Sequence, residues 1–427
     1  MSSLHSVAKL EQRTTMKSPT GDNPVIVSIT RSPIGRAYKG SLSHVRADDL
    51  AAQVIRSAID RVAGLQLSEI DELYLGCGEP RDEQGGNIAR RVAVMIGADS
   101  TAAATVNRFC ASSIESVRMA SNSIRAGNGE VFVAGGVESI SRYREFNGLS
   151  LDQEHSYNPV FTDAIAHSAA SDTGGAAWSD PRLEGRLPNI YMGMGQTAEN
   201  VAGLHRVSRT DQDEYAVRSQ RLTKAAQDAG FLERQTTPVE LGDGRMFDRD
   251  EALRPGTTAE GLGELSTPFR EGGSVTAGNA CGLSDGASAL VMMSEKEAKK
   301  RGVVPLARVV ATSSSGLSPE IMGLGPVEAT IKVMAQLGAT IDDFDLIELN
   351  EAFSAQVLAC QRLLGIDLAR LNVYGGSIAL GHPFGATGIR LLANLVHGLR
   401  ERDLEIGLAT LCVGGGQGMA MVVERLS

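Results

Sequence analysis

Ile70-Asp71-Glu72-Leu73-Tyr74-Leu75-Gly76 and Phe344-Asp345-Leu346-Ile347-Glu348-Leu349 are two copies of one strand pattern, and their likeness decides how the rest of the chain is read. The likeness extends outward. Val25-Ile26-Val27-Ser28-Ile29 is echoed by Leu306-Ala307-Arg308-Val309-Val310-Ala311, and the helical spacing of residues 47–62 by that of residues 327–337. Residues 284–293 parallel residues 416–423 in the same way. Asp71 precedes Cys110 by 39 residues and Asp345 precedes His382 by 37, so the repeat puts Cys110 and His382 at equivalent strand-to-helix turns. Alternating strand and helix signals imply a mostly parallel sheet. Two such half-folds packed face to face would bring both turns to a shared crevice at strand C-terminal ends, where α/β sheets bind ligands.

Cys110 stands in Asn107-Arg108-Phe109-Cys110-Ala111-Ser112-Ser113, ahead of Ile114, Val117, Ser121 and Ile124 at helical intervals, with Ala126-Gly127-Asn128-Gly129 as the stop signal. At a helix N-terminus, unpaired N–H groups and the positive end of the dipole favour a thiolate, lowering the pKa from its free value of roughly 8.5. A lone cysteine also packs as a small buried hydrophobe, and that reading stands beside the nucleophilic one. Two glycine-rich stretches favour chemistry: residues 372–388 around His382, and Thr410-Leu411-Cys412-Val413-Gly414-Gly415-Gly416-Gln417-Gly418. Such backbone turns tightly and lets a ligand approach the main chain. A Cys/His pair activates a nucleophile for acyl transfer, and a second thiol can move a proton. Zinc is the competing use of these residue types, but Cys110 and His382 lie 272 residues apart and no C-x-x-C pair exists, so no metal is expected.

Together Asn107-Arg108-Phe109-Cys110-Ala111-Ser112, Asn350-Glu351-Ala352-Phe353, Gly381-His382-Pro383 and Cys412-Val413-Gly414-Gly415-Gly416 resemble the thiolases, the acetyl-CoA acyltransferases, from about Pro24 to the C-terminus. The resemblance implies an α/β fold of duplicated βαβαβαββ halves in a layered αβαβα arrangement, with an inserted loop domain. Its boundaries here would be 24–139 plus 284–304 for the first half, 140–283 for the loop domain that holds coenzyme A, and 305–427 for the second half. The implied activity is thiolytic cleavage of 3-ketoacyl-CoA through an acyl-cysteine, reversible as a Claisen condensation. An acetoacetyl-CoA thiolase acting mainly in the condensing direction is the alternative.

By the same resemblance Cys110 is the nucleophile, His382 its base, and Cys412 the acid/base at the acetyl Cα. One oxyanion site matches His382 with a water held by Asn350, and the other the N–H groups of Cys110 and Gly414. An Asn-Glu pair after a strand also serves as a helix cap, which leaves Asn350 a second reading. Arg254 matches the position near the adenine and phosphates of coenzyme A, a co-substrate; no tightly bound cofactor is implied. Phe269, Ala277, Gly278, Ala352 and Phe353 match the pantetheine channel, and Met194 and Met322 the acyl pocket. Three positions depart from the family pattern. Ser113 replaces a glycine, Gly193 stands where short-chain biosynthetic members carry a histidine, and Cys281 replaces a serine that bonds pantetheine, adding a thiol open to alkylation.

The rival within the same fold is a 3-oxoacyl synthase, which pairs its cysteine with two histidines or with His and Asn; Cys412 in its glycine-rich run separates the two. A thiolase-like lipid carrier would have lost a reactive residue, and none is missing. The 427 residues are 42% hydrophobic and 22% charged, enough for more than one core. A net charge of −10 argues against a nucleic-acid partner. Five cysteines without framework spacing fit a reducing compartment such as the cytoplasm, and no apolar run reaches membrane-spanning length. Residues 1–23 carry Lys9, Arg13 and Lys17 without an apolar core, which suits a disordered extension better than a transit peptide. Residues 147–190 read as a polar, glycine-rich insertion, followed by helices near 197–202 and 210–230. A homodimer or homotetramer is expected, with a first-half sheet edge pairing across a twofold axis and part of 140–190 reaching the opposite dimer.

Overall fold

A computed structural model describes residues 22–142, 157–171 and 178–427. Most of the expected N-terminal extension, and residues 143–156 and 172–177 of the segment expected to bridge dimers, lie outside the described residues. The first half runs β1 (Pro24–Arg31), α1 (Ala47–Asp60), β2 (Glu72–Cys77), α2 (Ile88–Met95), β3 (Ala102–Val106), α3 (Ser112–Ala126) and β4 (Val131–Ser139). Then come α4 (Thr162–Ser171), α5 (Met194–Leu204) and α6 (Arg209–Asp228), before β5 (Ser284–Ser294) closes the half. The second half runs β6 (Ala307–Gly316), α7 (Gly325–Leu337), β7 (Leu346–Leu349), α8 (Ser354–Leu364), α9 (Thr387–Glu401), β8 (Ile406–Val413) and β9 (Gln417–Arg425). Helix α4 falls in a stretch expected to be irregular, because its Ala and Ser residues give no apolar stripe to read.

The strands form one sheet in the order β7-β8-β9-β6-β1-β5-β4-β2-β3. Within it β1-β5-β4-β2-β3 corresponds to β6-β9-β8-β7, with the fifth strand of the second half reduced to a single bridge between Ile347 and Leu371. The repeat is exact in its hydrogen bonds. Asp71 Oδ2 accepts from Glu130 and Val131 N–H at 2.8 and 2.9 Å, and Asp345 Oδ2 from Glu405 and Ile406 at 3.0 and 2.9 Å. The expectation of a mostly parallel sheet fails, since only β2–β3, β2–β4 and β7–β8 run parallel and the other pairs of this sheet are antiparallel. The reason is local. Gly415 and Gly416, with φ of 76° and 79°, turn β8 straight back into β9, and the first half opens the matching connection into the long insertion.

The halves are not simply face to face. Among the described residues their strands pair at Val25–Arg308 and Ile26–Ala307, with a single bridge from Leu283 to His382, and cohesion comes from α3 and α9, which share one apolar core with strands of both halves. Helix α9 is buried on nearly every side, its polar Arg390 and Asn394 both paired with Glu348 in the interior. Each of Ile389, Leu391, Leu392 and Leu395 in that layer stabilises the fold by about 1.5–3 kcal/mol. The outer layers are α1 and α2 on one side and α7 and α8 on the other. Among the described residues no helix is long and apolar enough to cross a membrane.

Candidate active site

Cys110 lies in a short 3-10 turn, Phe109–Ala111, that leads into α3, so the sequence places it correctly at a helix start. The turn is held by the polar residues around it. Asn107 Oδ1 accepts from Phe109 N–H at 2.9 Å, Asn107 Nδ2 donates to the Gly78 carbonyl at 3.1 Å, and Ser112 Oγ accepts from Arg108 N–H at 2.9 Å while donating to the Phe109 carbonyl at 2.6 Å. Arg108 is anchored in turn by Glu115 and by Gln417 of the other half. These bonds keep Phe109 at a φ of 43°, a left-handed conformation that costs a non-glycine residue about 1–3 kcal/mol.

The expected low-pKa thiolate is not what the surroundings produce. Burial pushes the Cys110 thiol up to about 12, and the N–H of Gly414, together with its own, offsets that only in part; Glu138 and Glu79 raise it further. Desolvation outweighs the helix terminus here even though Cys110 itself is only half-buried. Cys281, half-buried, and Cys412, buried, face Cys110, and desolvation raises both thiols as well. All five cysteines are free.

His382 is buried, follows Gly381 at a φ of 101°, and is bridged to Leu283. Its Nδ1 lies 2.7 Å from Thr387 Oγ1, whose proton goes to the Pro383 carbonyl at 2.8 Å. The hydroxyl therefore accepts, which fixes the proton on Nδ1 and leaves the Nε2 lone pair available. Asn350 Nδ2 approaches that nitrogen at 3.2 Å. The orientation of the amide follows from its other end, where Oδ1 accepts from Ser377 Oγ at 2.6 Å and from Arg390 at 3.2 Å. Arg390 is itself paired with Glu348 at 3.5 Å in the interior. Burial, with Arg390 nearby, lowers His382 to about 3, so the imidazole is neutral. Asn350 does not cap a helix: the residue at the start of α8 is Phe353, without a side-chain cap. His382 and Cys110 meet across Phe384, whose ring stands edge-on to the imidazole at 5.1 Å and packs against the thiol residue.

Met194, Met322, Ala352, Phe353 and Cys412 share one apolar cluster beside these groups, and Cys281 N–H bonds the Ala352 carbonyl at 3.0 Å. Phe269 meets Phe353 edge-on at 6.5 Å, and only glycine fits at 195, where a Cβ would stand 2.2 Å from the Phe269 ring. Gly278 is half-buried, its N–H on Thr276 Oγ1 at 3.1 Å, whereas Arg254 and Ala277 are exposed. The departures are accommodated. Ser113 sits in the first turn of α3, where its Oγ accepts from Ile389 N–H of the other half at 3.1 Å, and Gly193 is the N-cap of α5. Sequence reasoning missed Thr387, Ser377, Arg390 and the buried Glu351, which accepts from Tyr215, Ser219, Asn372 and Ile378. Ser377 and Thr387 stand inside the glycine-rich run of His382 and Glu351 beside Asn350 in its motif, whereas Arg390 carried no such signal. Among the described residues no cluster of His, Cys, Asp and Glu could hold a metal ion.

Residues 24–296 match the family model of the thiolase N-terminal domain and residues 303–425 that of the thiolase C-terminal domain. A protein of Escherichia coli K12 named 3-oxoadipyl-CoA/3-oxo-5,6-dehydrosuberyl-CoA thiolase is 42% identical over 403 residues, 93% of this chain and 98% of its own. The acetyl-CoA acetyltransferase of the same organism is 42% identical over 410 residues, 95% of this chain and all 100% of its own. The crystal structure of human mitochondrial 3-ketoacyl-CoA thiolase in complex with CoA superposes with a TM-score of 0.81 at 35% identity, over 95% of this chain and 98% of that one. With two half-folds, a thiol on one facing a thiol and an imidazole on the other, and these matches along nearly its whole length, the chain belongs to the thiolase family of acyltransferases.

Proposed function

We propose that the enzyme is a 3-ketoacyl-CoA thiolase that uses coenzyme A as co-substrate. Cys110 Sγ attacks the C3 carbonyl of the substrate and its proton passes to His382 Nε2. The C2–C3 bond then breaks, and the two-carbon fragment takes a proton from Cys412 at Cα and leaves as acetyl-CoA. The thiol of a second CoA then attacks acyl-Cys110 as its proton passes to the Cys412 thiolate, and the Sγ released with the new acyl-CoA recovers its proton from His382, which returns all three groups to their starting state. Thiol and imidazole both start neutral, so proton transfer accompanies attack rather than preceding it.

The observation that carries this reading is the placement of Cys110 at the start of α3, near the thiol of Cys412 and the backbone N–H of Gly414, with His382 held by Thr387 on the other half. The N–H groups of Cys110 and Gly414 suit an oxyanion on the attached acyl carbon, and losing one such donor typically costs about 10²–10³ in rate. Residues 140–283 would hold the nucleotide end of CoA, with Arg254 at its phosphates. Gly193 in place of a histidine favours the degradative direction and a role in fatty-acid β-oxidation. The relatives named acetyl-CoA acetyltransferase support a second reading, acetoacetyl-CoA as the main substrate. Five free cysteines suit the cytoplasm.

Mass spectrometry after brief exposure to acetyl-CoA should find the acetyl group on the Cys110 peptide. Acetylation elsewhere, or none during turnover, would refute the assignment. A chain-length series of 3-ketoacyl-CoA substrates with free CoA separates the two substrate readings. We also propose a dimer built on the exposed edge of β3, with the tetramer as favoured state and a dimer interface above roughly 2,000 Å² in total. Light scattering down to nanomolar protein tests it, and an active 45.0 kDa monomer would overturn it.

A further inference from the structure

Glu138, at the C-terminal end of β4, takes no part in the bond-making steps above and is completely buried. Its carboxyl group gathers donors from three separate places. Gly78 and Glu79 N–H, just past β2, reach it at 2.7 and 3.2 Å, the Gln84 side-chain amide at 3.1 Å, and Gly385 N–H, from the turn that follows His382, at 2.8 Å. Cys77 Sγ stands 3.9 Å away. Four N–H donors suit an acceptor with several lone pairs, and a carboxyl group is costly to bury without them.

The donors lead to both reactive loops. The Gly78 carbonyl accepts from Asn107 Nδ2, and Asn107 orders the turn that carries Cys110. Gly78 is also the point of closest approach: a Cβ there would stand 2.6 Å from Glu138 Oε2, 2.9 Å from Phe384 Cβ and 3.4 Å from the Phe109 carbonyl. Gly385 in turn allows no side chain, because a Cβ there would be 2.2 Å from the Val137 carbonyl. One carboxyl group thus ties the nucleophile's loop in the first half to the base's loop in the second. We propose that Glu138 is a positioning residue that sets the Cys110 turn against the His382 turn, and so fixes the line of proton transfer between them.

Its charge acts on the same thiol. Cys110 is faced by Glu138 and Glu79, by the thiols of Cys281 and Cys412, and, across Phe384, by the neutral His382. Glu138 itself is faced by the Cys77 thiol and by the carboxyl groups of Glu79 and Asp285. Replacing the carboxylate with an amide removes a negative charge and also turns N–H groups toward existing N–H donors.

The inference rests on Cys110 being the acylated residue, so acylation of the wild-type enzyme is measured first; its failure would undo the functional reading and not the role of Glu138 alone. In Glu138→Gln, kcat per acylatable site should fall about 10²-fold, the scale of a small misplacement of reacting groups, with KM for the acyl-CoA little changed. The pH midpoint for alkylation of Cys110 by iodoacetamide should move down, which a merely structural role would not do. Glu138→Asp keeps the charge and shortens the reach: kcat should fall while the midpoint stays. If the glutamine variant fails to fold, the aspartate variant carries the test. Wild-type kcat per acylatable site in either folded variant would overturn the proposal.

Discussion

The two halves share a strand order and an aspartate clasp, yet they solve the connection after β4 and β8 in opposite ways. The first half opens it into residues 140–283, and the second closes it in three glycines. The closed turn lays Gly414 N–H against Cys110 and leaves Cys412 one strand residue behind it, while the opened one supplies Met194, packed on the cluster around Cys412, and Phe269, edge-on to Phe353. Neither half alone holds a working set of groups. The proposed nucleophile, Cys110, belongs to one copy and the proposed base and second thiol, His382 and Cys412, to the other, so the proposed chemistry arises where a repeated scaffold stops being symmetric.

Substitutions that remove one half's contribution test this division. Cys110→Ala should abolish turnover, by about 10⁴-fold or more, and leave no acyl-enzyme. Retained acylation would move the nucleophile to another thiol. Cys412→Ser should lose roughly 10²–10⁴ in cleavage of the carbon–carbon bond and still acylate Cys110 from acetyl-CoA, because a hydroxyl is too weak an acid to serve Cα. Near-normal cleavage would make the second half's thiol a bystander. Asn350→Ala takes away the donor at His382 Nε2 and should cost about 10²–10³ in kcat. A loss confined to KM would mean that the amide only shapes the pocket.

Two smaller effects sharpen the picture. His382, lowered to about 3 by burial and Arg390, and His397, lowered to about 4 by burial and neighbouring arginines, bind no proton in the folded chain where an unfolded histidine, near 6.5, does. The unfolded state then holds more protons, so stability is full above pH 6.5 and falls as pH drops toward these values, by up to about 1.4 kcal/mol per pH unit per histidine. Urea melts at several pH values measure this slope, and His397→Gln should reduce it without touching the reactive groups. Gly414→Ala should change kcat less than about fivefold, since its Cβ would meet Phe109 at an ordinary 3.6 Å and the N–H remains. Gly416→Ala, with φ of 79° and a carbonyl at 2.3 Å, should break the hairpin, and equal damage from both would show that the turn needs flexibility rather than a donor.

The duplication, Cys110 at a helix start, and the glycine-rich settings of His382 and Cys412 were legible because each is local in the chain. Strand direction was not. Alternation is the same for a crossover as for a strand that turns back, and only the tertiary path distinguishes them. The thiol's pKa went the opposite way from the helix-terminus argument, because its surroundings are completed by Phe384 and Gly414 arriving from distant segments. The supports of His382 and Asn350 were hidden for a similar reason: Ser377 and Arg390 matter through contacts that no spacing announces.

Strand β1 is buried along its full length, and its main partner, β5, begins at Ser284. During synthesis at about 5–20 residues per second, the first strand to be made therefore waits on the order of tens of seconds for the segment that covers its edge. For that interval Val25, Ile26, Val27 and Ile29 are an unpaired apolar run on a nascent chain, and the timing of translation becomes part of how this protein avoids aggregation.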